Sequence, residues 1–284
     1  MLIENCRELA DYYEDLLDNI TQFSFSLNKD GQFSMESKFR SLSIGNFINK
    51  GSSILRNFID QQKQRHQLES DSDADTIIFP TVQMGLYNIN QDCDITSEIL
   101  QSGTKNSSFY FATGYFNLIE RYMRDIIGSS HSNYNILMAH PEANGFLGAK
   151  LPAGGIPHAY TLIAKQFRDR ILGHGLEERV RMFEYRRPGW TFHGKGLWYS
   201  DTDTGHPSLT MIGSPNFGYR SEIRDLESQI VVVTQNKDLQ QRLHQEQKHL
   251  FDNSEMVTSD TFAQEDRTVP FWVKCVVKFA RKWF

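Results

Sequence analysis

His193 and Lys195 stand one residue apart in the run Trp190–Tyr199, WTFHGKGLWY. On an extended chain, side chains two positions apart leave the same face, so an imidazole and an ammonium would lie side by side. Ser214 and Asn216 repeat that spacing in a Gly-Ser-Pro-Asn turn, and Arg220, Ser221, Arg224, Asp225 and Glu227 follow closely. Such a set suits a phosphoryl group. Lysine places charge on the non-bridging oxygens, while Ser and Asn donate directional hydrogen bonds. A histidine can then attack phosphorus or protonate a leaving oxygen. A carboxylate, Asp225 or Glu227, would hold the ring nitrogen that does not react and fix its tautomer. No P-loop pattern or metal-ligand spacing occurs here, so side chains must supply the positive charge.

These residues need strands to carry them. Gly196–Tyr199 and Leu209–Ile212 read as short buried strands, and the β-branched run Ile230–Val233 as a stronger one. Upstream, strands are expected at Thr76–Phe79, Ser108–Thr113, Asn135–Ala139 and Val180–Glu184. Helices are expected at Thr96–Gly103, Leu118–Ile127, Pro157–Ile171 and Lys237–Phe251. Strand–helix alternation predicts a layered α/β domain. Sites in open α/β sheets gather at strand ends. That makes Thr113 and Tyr115, the loop His140–Pro157 with Asn144 and Lys150, and Arg220 the candidate substrate contacts. The competing readings are plain: the loop's glycines and prolines merely shape a connection, Tyr115 and Asn117 cap the next helix, and Arg186 and Arg187 form a solvated turn.

Before this region, Leu2–Ile20 carries an amphipathic helical stripe, Phe23, Phe25 and Leu27 suggest a strand, and Leu42 to about Gln64 is helical again. Leu68–Asp75, LESDSDAD, reads as an exposed acidic linker. The expected organisation is therefore residues 1–67, a linker at 68–75, and a domain at 76–284 containing the motif region 191–234. At the end, residues 270–284 combine Lys274, Lys278, Arg281 and Lys282 with Phe271, Trp272, Val276, Phe279 and Trp283. A basic, aromatic helix of this kind either lies in the headgroup region of an anionic membrane or closes the core. A net charge of −5 argues against a general nucleic-acid binder. The three cysteines are isolated and form no CxxC pair, which argues against a disulfide framework or a zinc site. No apolar run reaches the length of a membrane span.

By itself, a His-x-Lys pair on a strand reads as a surface pair. The downstream Gly-Ser-x-Asn…Arg-Ser changes that, because together they resemble the HKD signature of the phospholipase D superfamily. The wording HGKGLW…LTMIGSPNFGYRS…RDLESQI resembles more narrowly the second motif of the eukaryotic phosphatidylglycerophosphate synthases of mitochondria. These are the CDP-diacylglycerol–glycerol-3-phosphate 3-phosphatidyltransferases. The likeness extends through TGYFN at Thr113–Asn117, PEANGFLGAK at Pro141–Lys150 and the C-terminal helix.

This resemblance implies a phospholipase D-like α/β/α sandwich in which two lobes each supply one motif to a shared site. One histidine forms a phosphohistidine; the other, here His193, works as acid and base. Lys195, Ser214 and Asn216 would hold phosphoryl oxygens, and Asp225 or Glu227 would orient a catalytic histidine. No metal or organic cofactor is implied. The substrates would be CDP-diacylglycerol and glycerol 3-phosphate, at the matrix face of the inner mitochondrial membrane.

Two departures stand out. The position of the general motif's Asp is Ser200, with Asp201 one further on, and the sequence holds no other His-x-Lys. The expectation is that residues 1–67 are the tail of a first lobe whose motif lies outside this sequence, as would any mitochondrial presequence. The chain alone would then have little transferase activity. The alternatives are a single-motif nuclease or phosphodiesterase that dimerises, and a non-catalytic module docking on membranes.

Overall fold

The computed structural model describes residues 1–66, 73–128, 132–202 and 205–283. Most of the acidic stretch Leu68–Asp75 lies outside the described residues, as does His131. The chain forms two compact units, Met1–Ala74 with Met84–Ile89, and Asp75–Gln83 with Asn90–Phe284.

In the first unit, helix α1 (Arg7–Thr21) packs on α3 (Ile44–His66). Between them come the two-residue strands β1 (Ser26–Leu27) and β2 (Phe33–Ser34) and the short helix α2 (Ser37–Arg40). The strand expected through Phe23, Phe25 and Leu27 shrinks to Ser26–Leu27, paired with Phe33–Ser34. Phe23 is instead buried in an aromatic cluster with Phe39, Phe47 and Tyr87.

The second unit is built on eight strands: β3 (Thr76–Met84), β4 (Ser108–Thr113), β5 (Asn133–Ala139), β6 (Val180–Tyr185), β7 (Lys195–Ser200), β8 (Leu209–Gly213), β9 (Leu226–Thr234) and β10 (Ser254–Met256). They form one sheet in the order β10-β6-β5-β4-β7-β8-β9-β3. Strands β4, β5 and β6 run parallel, whereas β7 is antiparallel to β4 and to β8, and β8 to β9. Among the described residues, six α-helices complete the unit: α4 (Gln91–Gln101), α5 (Glu120–Gly128), α6 (Ile156–Gly173), α7 (Tyr219–Ile223), α8 (Lys237–Phe251) and α9 (Phe271–Ala280).

The central strands are covered on both faces, which is why they read as continuous apolar runs. Phe109 and Phe111 of β4 join Ile136 and Met138 of β5 in a core with Leu100 of α4, Ile126 of α5, Ile163 of α6 and Val273 of α9. The alternate residues Tyr110, Ala112 and Leu137 pack with Trp198 and Leu243 of α8 on the opposite face. This is a three-layer α/β/α arrangement.

The strand directions decide where chemistry can gather. Thr113 at the end of β4 pairs with Lys195 at the start of β7. Because β8 runs against β7, its end at Gly213 returns to the same rim, where it pairs with Gln229 near the start of β9. Residues before β7, after β4, after β8 and at the head of β9 therefore converge.

Candidate active site

His193 is fixed from both sides in sequence. Phe192 is buried against Tyr185 at 4.7 Å, and its amide donates to the Ala143 carbonyl. On the other side, Lys195 enters β7. Lys195 Nζ lies 2.8 Å from His193 Nε2 and also donates to the His193 carbonyl at 3.1 Å. An ammonium has only donors, so Nε2 is the acceptor and the neutral ring carries its proton on Nδ1. The expected side-by-side pair is present.

Gly114 makes room for it. A Cβ at that position would come within 2.8 Å of both Cα and Cδ2 of His193. The next residue, Tyr115, sets its ring 4.6 Å from the imidazole and nearly parallel to Tyr160 at 5.5 Å. Burial, and secondarily the Lys195 charge, push the His193 pKa below its usual value. Burial also lowers Lys195, opposed by the charge of Glu227. The resting imidazole is therefore neutral near pH 7, ready to accept a proton or to attack.

The turn after β8 is built around Glu227. This buried carboxylate accepts a hydrogen bond from Ser214 Oγ and another from Ser221 Oγ at 2.8 Å. Ser221 in turn accepts from the Asn216 amide at 3.0 Å. Thr113 Oγ1 donates to the Asn216 carbonyl at 2.9 Å. Thr113, placed among substrate contacts by sequence reasoning, is thus buried and spends its hydroxyl holding Asn216. Behind this turn a second buried acid, Asp92, accepts from Thr81 and from Gln229, and burial raises its pKa.

The orienting carboxylate differs from expectation. Glu227 is engaged by Ser214 and Ser221, and Asp225 by Arg220 at 2.9 Å; neither is hydrogen-bonded to His193. The groups against the imidazole are Lys195 and the Tyr115 ring. Ser200, at the position of the general motif's Asp, is buried and donates to the Gly205 carbonyl.

A cleft of about 290 Å³ opens beside His193, lined by Tyr115, Phe146, Tyr160, Asn216, Arg220 and Asp225, with Trp283 among its further lining residues. Besides Thr113, two expected contacts are not brought into it. Asn144 is buried and its Oδ1 accepts from the Phe146 amide at 2.9 Å, closing a turn within its own loop. Lys150 is exposed and does not line the cleft. Arg186 pairs with Glu142 and Arg187 lies over Trp190, as a solvated turn would. Sequence reasoning passed over Phe146, Tyr160 and Trp283 as wall residues, since an apolar side chain carries no chemical signal. Spacing places Ser221 near the motif, but its link to Glu227 depends on the α7 turn. Asn117 exchanges hydrogen bonds with Arg281.

An eight-stranded mixed sheet whose rim joins His-x-Lys to Gly-Ser-x-Asn defines a phospholipase D-like α/β fold. The crystal structure of phosphatidylserine synthase from Haemophilus influenzae Rd KW20 superposes with a TM-score of 0.64 at 17% identity, over 96% of this chain and 60% of that one. No protein-family profile matches. The mitochondrial CDP-diacylglycerol–glycerol-3-phosphate 3-phosphatidyltransferase of Homo sapiens is 38% identical over 308 residues, covering 100% of this chain and 55% of the relative. A Dictyostelium discoideum protein named as a probable enzyme of the same kind is 32% identical over 98% of this chain and 50% of its own length. Over its whole length the chain is similar to these phosphatidyltransferases. It spans about half the length of the curated relatives it matches.

Proposed function

We propose that the chain carries one catalytic motif of a CDP-diacylglycerol–glycerol-3-phosphate 3-phosphatidyltransferase. The observation that carries this reading is the 2.8 Å contact between Lys195 Nζ and His193 Nε2 beside the Ser214–Asn216 turn. In the first step a histidine nitrogen attacks the diacylglycerol-bearing phosphorus, a P–N bond forms, and the P–O bond to CMP breaks. In the second the 1-hydroxyl of glycerol 3-phosphate attacks the same phosphorus and the P–N bond breaks. His193 enters the cycle in its protonated form, gives that proton to the departing CMP oxygen, and regains one from the incoming hydroxyl. Its lowered pKa suits both duties, making the protonated ring a willing donor and the resting ring a neutral base. Lys195, with the side-chain amide of Asn216, meets the charge that develops on the phosphoryl oxygens. Ser214 contributes by fixing the turn through Glu227. Arg220 at the cleft wall attracts the phosphates.

The attacking histidine would come from a second His-x-Lys motif, which this sequence does not contain. A further lobe or a second copy would supply it. The setting would be mitochondrial, after the names of the relatives, at the matrix face of the inner membrane. Helix α9 supports contact with an anionic bilayer: Phe271 and Phe279 are 81% and 82% exposed, and Lys274 and Lys278 are exposed beside them.

The test is CMP release from CDP-diacylglycerol in anionic vesicles, with glycerol 3-phosphate present. Slow release that His193→Ala abolishes, and that rises when a lobe bearing a second motif is added, is the expected result. Release that His193→Ala leaves unchanged would sink the reading.

A further inference from the structure

The free aromatic surface of the cleft is unevenly shared. Tyr115 is already crowded by His193, Tyr160 and Phe146, with ring centroids at 4.6, 5.5 and 5.6 Å. Its ring is spent on positioning the imidazole. Trp283 is different. The Arg224 guanidinium lies 3.4 Å from its ring, which covers one face, yet Trp283 remains 64% exposed and lines the cleft. One broad indole face is therefore available to a ligand.

Trp283 is held in that place by contacts of its own segment. Arg281 Nε donates to Asn117 Oδ1 at 3.0 Å, and Asn117 Nδ2 donates back to the Arg281 carbonyl at 2.9 Å. Arg281 also lies 5.5 Å over the Tyr219 ring. Asn117 is two residues beyond Tyr115, so the turn Arg281–Trp283 is pinned to the loop that carries the imidazole's stacking partner. The turn behaves as a strap across one end of the site.

We propose that Trp283 is the stacking platform of a nucleobase subsite. A heteroaromatic base lies on the open indole face, and its 5′-phosphate reaches Arg220 and the His193–Lys195 rim. Planar bases stack on aromatic side chains whatever their hydrogen-bonding edge, and the Arg224 cation behind the indole leaves the front face to the ligand. This assignment rests on the nucleotide-donor reading above and adds the part of the donor that the chain grips.

Calorimetric titration of the full chain with CMP, AMP, glycerol 3-phosphate and inorganic phosphate tests it, with Trp283→Phe and Trp283→Ala as variants. The exposure of Trp283 makes both variants foldable. Trp283→Phe should bind CMP within about threefold of the original chain. Trp283→Ala should bind it at least about tenfold more weakly, the size of one lost base–aromatic stack, with phosphate and glycerol 3-phosphate unchanged. Equal CMP affinity in the original chain and Trp283→Ala overturns the subsite, even if CMP is still released from the lipid donor. Absence of binding by any nucleotide overturns it too, as does parallel loss of phosphate binding, which would signal collapse of the cleft. AMP binding through Trp283 without CMP binding would keep the subsite and remove the cytidine-donor reading instead.

Discussion

Two loops at the sheet rim carry similar polar residues and use them in opposite ways. The turn after β8 aims its groups at a shared centre: Ser214 and Ser221 converge on Glu227, and Asn216 is held by Thr113 and Ser221 while it lines the cleft. The longer loop after β5 folds its polar groups back upon itself. Asn144 satisfies the Phe146 amide, and His140 Nδ1 accepts from the Glu142 amide. What that loop offers the cleft is the ring of Phe146. A polar residue at a strand end is therefore no guide to a site until its hydrogen bonds have been traced. In the first loop a buried carboxylate collects side-chain donors; in the second the side chains accept from backbone amides of their own loop.

The largest effect expected from this contrast is at the lysine that completes the first loop's charge. Lys195→Met should lower CMP release by two to three orders of magnitude, about 3–4 kcal/mol of lost transition-state stabilisation. Substrate affinity should change far less than turnover. A loss confined to affinity would mean that the ammonium only anchors phosphate.

Glu227 comes next. Its removal as Glu227→Ala strands the buried Ser221 hydroxyl and frees the exposed Ser214 hydroxyl to solvent, and hydrogen bonds to charged groups are worth about 1.5–3 kcal/mol each. Stability in urea should fall by about 3 kcal/mol. Glu227→Gln, which keeps one acceptor oxygen, should lose less. If Glu227→Ala unfolds no more easily than the original chain, the carboxylate is not what organises the turn.

Much of this arrangement was legible in the sequence. Ser108–Thr113 and the helix Lys237–Phe251 are observed with the bounds expected of them, since two-sided burial and helical periodicity leave strong patterns. The strand starting at Thr76 runs on to Met84, past the expected end at Phe79. Pro80 conceals it, yet β3 is an edge strand, where a missing amide donor is tolerated. At the site, His193, Lys195, Ser214 and Asn216 were legible because spacing on strands dictates a shared rim. That Asp225 would turn to Arg220 and Glu227 to two serines was not, because it follows from the short helix Tyr219–Ile223 rather than from spacing.

The imidazole gives a subtler test, since proton affinity reports on the pocket without requiring turnover. The folded His193 has its pKa lowered by burial first and by Lys195 second. The unfolded chain then binds the proton more tightly, so stability from this residue is fully present above its unfolded value, about 6.5. It is lost as pH falls from there through the folded value. An NMR titration of the His193 ring should show a midpoint below 6.5, the ordinary value. Lys195→Met should raise that midpoint only in part, because burial remains. Full restoration would make charge, rather than burial, the main cause. Transfer to glycerol 3-phosphate, the step in which His193 takes a proton, should slow over the same range as the neutral base is lost.

The smallest effects separate the second loop from the first. Asn144→Ala removes one hydrogen bond to the Phe146 amide, worth about 1 kcal/mol of stability. Its influence on the cleft would pass only through Phe146, so CMP affinity should drop modestly while the pH profile of His193 stays where it was. Lys150→Ala removes an exposed charge outside the cleft and should change stability by less than about 0.5 kcal/mol. The pair matters because both residues were expected to contact substrate, through phosphate or a nucleotide head. If that expectation held, Lys150→Ala would weaken inorganic phosphate and glycerol 3-phosphate together, with a salt dependence that Asn144→Ala lacks. If the traced hydrogen bonds are the better guide, phosphate binding will ignore Lys150, and only the loop carrying Phe146 will register the loss of Asn144.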